Sequence, residues 1–133
     1  MISFHSIKSA GDLDRERAVF RVEEDGNIGT QAILRNKYWV YDGKNTLQSV
    51  VYDTHWFVDK DVKKGDLVVL YSKGSNVNSR EKLSESGSKT HFFYWEREAP
   101  IWDKDRVALV IITLDQWTVG KFVEHDDNDV EPN

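Results

Sequence analysis

Alternation of apolar and polar side chains is clearest over residues 50–58. Val50, Tyr52, Trp56 and Val58 fall on one side with Thr54 among them. Ser49, Asp53 and His55 fall on the other, joined by Val51 and Phe57. A period of two predicts a β-strand, with the Val50, Tyr52, Trp56 and Val58 side buried and the Asp53 and His55 side wet. Residues 18–22 alternate as well, with Ala18, Phe20 and Val22 on one face. Residues 31–41 read as a strand that ends in Tyr38, Trp39, Val40 and Tyr41.

Three further runs are apolar on both faces: residues 67–70, 92–95 and 107–112. Such strands need cover on both sides. The cover can come from an N-terminal arm, from a long loop or from a second copy of the chain.

Turn chemistry separates these runs. Glu24-Asp25-Gly26-Asn27 and Lys63-Lys64-Gly65-Asp66 read as turns, and Asp42-Gly43-Lys44-Asn45 as a tight hairpin. Residues 12–17 have the makings of one helical turn capped by Asp12, or of part of a lead-in arm. Residues 72–90, rich in Ser, Gly, Asn and Lys, read as one long structureless loop. No long segment has helical periodicity. The expected architecture is therefore a single all-β domain over residues 18–123. An arm over residues 1–17 precedes it and a disordered acidic tail over residues 124–133 follows it.

At 133 residues the chain is long enough for one core without staples. It has no cysteine, which excludes disulfides, thiolate metal sites and cysteine nucleophiles. With no long apolar run, it reads as a cytoplasmic protein that does not engage membrane. Its net charge is −5, and the five carboxylates of residues 124–133 account for that value. A near-neutral body disfavours nucleic acid, which is held largely by phosphate neutralisation.

The histidines are His5, His55, His91 and His125. None pairs at a spacing of four, so no metal site is expected. Ser72 or Ser75 with His91 and Asp103 would be a hydrolytic set, but no nucleophile elbow accompanies them. Gly26 and Gly29 precede no helix and so form no phosphate loop. The expectation is a non-enzymatic chain without a cofactor.

Aromatics are the most suggestive class. Trp56, Trp95 and Trp117 read as core. Trp39 and Trp102 lie beside turns and read as surface. The candidate binding surface is Trp39, Tyr41, His55, Lys73, Arg80, Lys82, His91 and Trp102.

The order of features resembles the lamin-tail domain. The residues that carry the likeness are Thr54-His55-Trp56-Phe57-Val58, then Lys64-Gly65-Asp66-Leu67-Val68-Val69-Leu70, then Phe93-Tyr94-Trp95. Trp102-Asp103-Lys104-Asp105-Arg106 leading into Val107-Ala108-Leu109 completes it. Val58 stands where that family usually has proline, and the 91–95 run is more aromatic than its norm. The resemblance implies an immunoglobulin-like β-sandwich used as a binding or tethering module. The near-neutral body points to protein as the partner, and a homodimer would cover the doubly apolar strands. The His-Phe-Phe-Tyr-Trp element is also similar to one found in bacterial proteins. Lys64-Gly65-Asp66-Leu67-Val68 is similar to a strand of PUA-like β-barrels. That likeness implies instead a nucleic-acid module that reads a modified base through an aromatic pocket.

Overall fold

The computed structural model describes residues 1–121. It is all-β apart from one short 3-10 turn. The strands in chain order are β1 (Ile2–Lys8), β2 (Arg17–Val22), β3 (Gly26–Asn27), β4 (Gln31–Tyr41), β5 (Lys44–Trp56) and β6 (Asp61–Val62). They continue as β7 (Leu67–Tyr71), β8 (Ser79–Leu83), β9 (Lys89–Tyr94) and β10 (Val107–Thr113).

Two main sheets pack as a sandwich. One has five strands in the order β1-β2-β7-β9-β8, and the other has three in the order β10-β4-β5. A two-residue ladder of β3 with β6 bridges the turn region. The ladders stay separate and do not join into one closed barrel. Every pairing is antiparallel except β7 with β9, which is parallel. A parallel pair needs a crossover, and here β8 supplies it on the outer side of β9.

The core lies between the two sheets. Ala18, Phe20, Val68, Leu70 and Phe93 come from the large sheet, and Ile33 and Phe57 from the small sheet and its exit. Phe57 is the hinge of the packing, with its ring edge-on to Phe20 at 6.5 Å and to Phe93 at 4.9 Å. Such edge-to-face pairs suit the ring quadrupole. Val68, Val69 and Leu70 are all buried within the single chain. On the outer face of that sheet Tyr71 stacks on Tyr94 at 5.7 Å and on Phe92 at 6.3 Å. Arg17 and Lys73 lie over the Tyr71 ring.

Several sequence readings are corrected here. Residues 2–8, expected in a lead-in arm, form edge strand β1, because Ile2 pairs with Val22 and is buried. The expected loop over residues 72–90 contains β8, whose alternating contacts with β9 run from Ser79–Phe93 to Leu83–Lys89. Residues 12–16 do close one turn, through Glu16 N–H donating to Asp12 O at 2.6 Å. The acidic segment 124–133 and His125 lie outside the described residues. Among the described residues no helix is long and apolar enough to cross a membrane.

The largest correction concerns β5. Asp53, His55 and Phe57 point into the sandwich and Trp56 and Val58 point out, while Val50, Val51 and Tyr52 are all exposed beside a bulge, with the Arg35 guanidinium 5.1 Å from the Tyr52 ring centre. Trp56 is 44 % exposed, whereas Phe57 is 3 % exposed. The inward side carries Asp53 because Arg35 sits directly opposite it on β4. Arg35 Nε donates to Asp53 Oδ1 at 2.5 Å and Nη2 to Oδ2 at 3.2 Å. A bidentate pair of this kind satisfies a charge that would otherwise stay in water.

Candidate functional site

The β4–β5 hairpin is built by its turn. Tyr41 pairs with Lys44, leaving a two-residue loop of Asp42 and Gly43. Both have positive φ, +48° and +74°. That is the type I′ geometry whose twist matches antiparallel strands. β10 covers β4 only from Gln31 to Lys37. Beyond that point the hairpin is a two-stranded ribbon without a third strand.

The ribbon is strongly apolar and open. Tyr41 is 65 % exposed and Leu47 55 %. Trp39, Val40, Val50, Val51 and Tyr52 are exposed too. Between Tyr38 and Tyr52 the only charged residues are Asp42 and Lys44 at the tip. Trp39 is framed by two cations, Lys37 Nζ at 4.6 Å and the Arg106 guanidinium at 5.1 Å from its ring centre. These hold the indole in place by attraction to its face. The ladder is irregular near Asn36, where the register slips on both sides of that residue. Asn36 Nδ2 donates to Gln48 O at 2.8 Å and ties the slip down.

At the other end of β5 a cleft of about 320 Å³ opens between the sheets. His55 and Trp56 line one wall, Phe93, Tyr94 and Trp95 the other, with Val77 at the rim. His55 lies edge-on to Phe57 at 4.9 Å and tilted against Trp95 at 5.7 Å. Its Nε2 is buried without a partner. Burial lowers the His55 imidazole from 6.5 to about 4, so the ring is neutral at physiological pH. Trp102 packs against Trp95 at 5.9 Å, its Nε1 also unpartnered.

A second polar centre lies deep in the large sheet. His91, 1 % exposed, meets Asp66 with Nε2 to Oδ2 at 2.8 Å. Asp66 also accepts the Lys89 N–H at 2.9 Å and the Lys63 N–H at 3.1 Å. Burial pushes the Asp66 carboxyl up, but the Lys89 amide, the His91 ring and the Lys63 amide outweigh it and hold it below its ordinary value. Asp66 thus fastens the turn before β7 to the start of β9. His91 Nδ1 stands 3.8 Å from Glu81, whose carboxylate also faces Lys60 and Lys89 at 3.6 Å each. No group of three or more His, Asp or Glu among the described residues is arranged to hold a metal.

The expected binding residues therefore fall in different places. Trp39 and Tyr41 share the hairpin. His55 and Trp102 both pack against Trp95. Arg80 and Lys82 lie exposed on edge strand β8, and Lys73 covers Tyr71. His91 is a core residue. His55 and His91 lie on strands of different sheets. Trp56 and Trp117, read as core, are exposed and pack against one another edge-on at 4.9 Å. Trp95 is buried as read.

The sequence reading missed Glu16. It is fully buried, and its carboxylate accepts N–H groups from Gly11, Ile101 and Trp102 and the Ser72 hydroxyl. Nothing local marks it, because its partners come from three separate stretches of chain. No protein-family model and no curated protein matches this chain.

Proposed function

We propose that the chain is a non-enzymatic interaction module that binds protein through the β4–β5 hairpin. The observation that carries this reading is the number of large apolar side chains that the hairpin leaves exposed. Contiguous apolar patches on monomers rarely exceed a few hundred Å². Nine large apolar side chains from Trp39 to Val58 are each between 38 % and 65 % exposed. Trp39 and Val40 are chain neighbours, as are Val50 and Val51, and neighbours on a strand point to opposite faces, so the ribbon offers apolar side chains on both of its faces.

The near absence of charge favours a protein partner, a second copy of the chain included, over nucleic acid. Phosphate recognition requires a basic surface, and beyond Lys37 and Arg106 at the base of Trp39 the ribbon has only one aspartate and one lysine, at its tip.

The test compares what the full chain captures from a lysate with what a Trp39→Glu/Tyr52→Glu variant captures. Arg80→Glu on β8 serves as the surface control. Proteins held through the hairpin are lost at least tenfold with the double variant and kept with the control. Equal capture by all three forms would contradict the reading. So would oligonucleotide binding that persists at physiological salt.

A further inference from the structure

The outer edge of β5 runs beside the cleft, and among the described residues no strand pairs with it there. Phe57 N–H donates to Gln31 O at 3.3 Å, so Phe57 and Gln31 form a hydrogen-bonded pair. By antiparallel alternation His55 and Asp53 also bond to β4. The other side of β4 agrees, because Leu114 N–H donates to Thr30 O at 2.7 Å. That phase turns Ala32 and Leu34 toward β10, leaving Gln31, Ile33 and Arg35 for β5. The N–H and C=O groups of Thr54 and Trp56 therefore point away from β4. β5 is the last strand of its sheet, and these two residues line the cleft together with Val58.

The opposite wall is fixed. Trp95 N–H donates to Tyr71 O at 2.8 Å, Glu96 N–H to Lys73 O at 3.2 Å and Arg97 N–H to Ser72 O at 2.7 Å. These bonds hold Glu96 at a φ of +60°, a left-handed conformation that a glutamate seldom adopts. Glu96 is the one formal charge on the lining, since His55 is neutral.

We propose that this edge takes up an extended peptide segment of a partner protein as an added strand. One apolar side chain of the segment enters the space between Trp56 and Trp95, and a lysine or arginine meets Glu96. Unpaired strand edges recognise extended backbone, and adjacent pockets choose alternate side chains. The charge argues against the chain's own end as occupant, because residues 124–133 carry five carboxylates and no lysine or arginine. This inference rests on the protein-binding reading and places peptide recognition apart from the hairpin tip.

The experiment is selection from a randomised ten-residue peptide library by the full chain, followed by affinity measurement on the selected peptides. The proposal expects peptides with an aromatic or branched apolar residue near a lysine or arginine. Val77→Arg at the cleft rim, where Val77 is 39 % exposed, weakens them at least tenfold with an unchanged melting temperature. N-methylation at one alternate set of peptide positions weakens them similarly, and at the other set hardly at all.

No selection, or selected peptides indifferent to both Val77→Arg and N-methylation, overturns it. Competition by a synthetic peptide of residues 122–133 as strong as by the selected peptides makes the chain's own end the occupant, and overturns it too. Binding lost with Trp39→Glu/Tyr52→Glu but not with Val77→Arg removes the edge site and leaves the hairpin reading standing. Retained protein capture by the hairpin variant, with peptide binding lost in Val77→Arg, does the reverse.

Discussion

Glu16 and Ile101 are joined across 85 positions of sequence by one hydrogen bond, the Ile101 N–H donating to Glu16 Oε2 at 2.9 Å. The same carboxylate takes the Trp102 and Gly11 amides at 3.1 Å each and the Ser72 hydroxyl. It is fully buried, and among the described residues no salt bridge reaches it, so donors alone satisfy its oxygens. It ties the β1–β2 connection, the end of β7 and the segment ahead of β10 into one knot.

Removing the Glu16 carboxylate strands several buried donors, each costing about 1–3 kcal/mol when left unpaired. Glu16→Ala is expected to destabilise by roughly 3–5 kcal/mol, in line with other losses of buried charged partners. Glu16→Gln places an amide N–H₂ against one pair of donors and recovers only part of this. Urea denaturation of both variants measures it, and a loss near zero for Glu16→Ala would show that the knot does not hold the fold.

The two tryptophans nearest the cleft should behave differently. Trp95 is 6 % exposed and packed against His55 and Trp102. Trp95→Ala should cost about 3–5 kcal/mol, as full aromatic deletions in cores do. Trp56 is 44 % exposed and holds on through its Nε1–H to Gly29 O at 2.6 Å and its contact with Trp117. Trp56→Ala should cost about 1–2 kcal/mol, one hydrogen bond plus partial burial. Equal losses in the same denaturation assay would contradict the orientation of β5.

Acid should find His55 before it finds Asp66. The folded imidazole titrates near 4 and the unfolded one near 6.5, so the unfolded chain binds the extra proton first. His55 therefore costs no stability above pH 6.5. Its contribution is lost progressively as pH falls from about 6.5 to 4, by on the order of 2–3 kcal/mol. Asp66 is held below its ordinary value, so its contribution is present above about 3.8 and lost only below that. Subtracting the stability profile of a His55→Leu variant from that of the parent isolates the first window. A flat difference between pH 4 and 6.5 would mean that the ring is not desolvated.

Much of the fold could be read from alternation and turn chemistry. The hairpin at Asp42-Gly43, the strands at β2, β4, β7 and β10 and the burial of Trp95 all follow from local pattern. The facing of β5 did not follow, because a period of two gives two faces and not which one is inside. Hydrophobicity pointed to Val50, Tyr52 and Trp56. The pairing of Asp53 with Arg35 reversed it, and that pairing depends on a register no local pattern contains. β8 was hidden for a related reason. Ser79-Arg80-Glu81-Lys82-Leu83 lies exposed on an edge, so it needs no apolar face to pair with β9. The exposure of Trp39 was legible from its place beside a turn, whereas Trp102, read the same way, packs against Trp95 with its Nε1 buried. The core position of His91 depends on Asp66, 25 residues away.

Hydroxyl-radical footprinting of the aromatic side chains, on the free chain and with a captured partner bound, tests most directly whether the hairpin is the binding surface. In the free chain Tyr41 and Tyr52 should be oxidised rapidly and Trp95 slowly. With the partner bound, protection should appear at Trp39, Tyr41 and Tyr52 while Trp95 is unchanged. Slow oxidation of Tyr52 in the free chain would contradict its exposure on the hairpin, and unchanged reactivity of all three residues in the complex would contradict the hairpin as the binding surface.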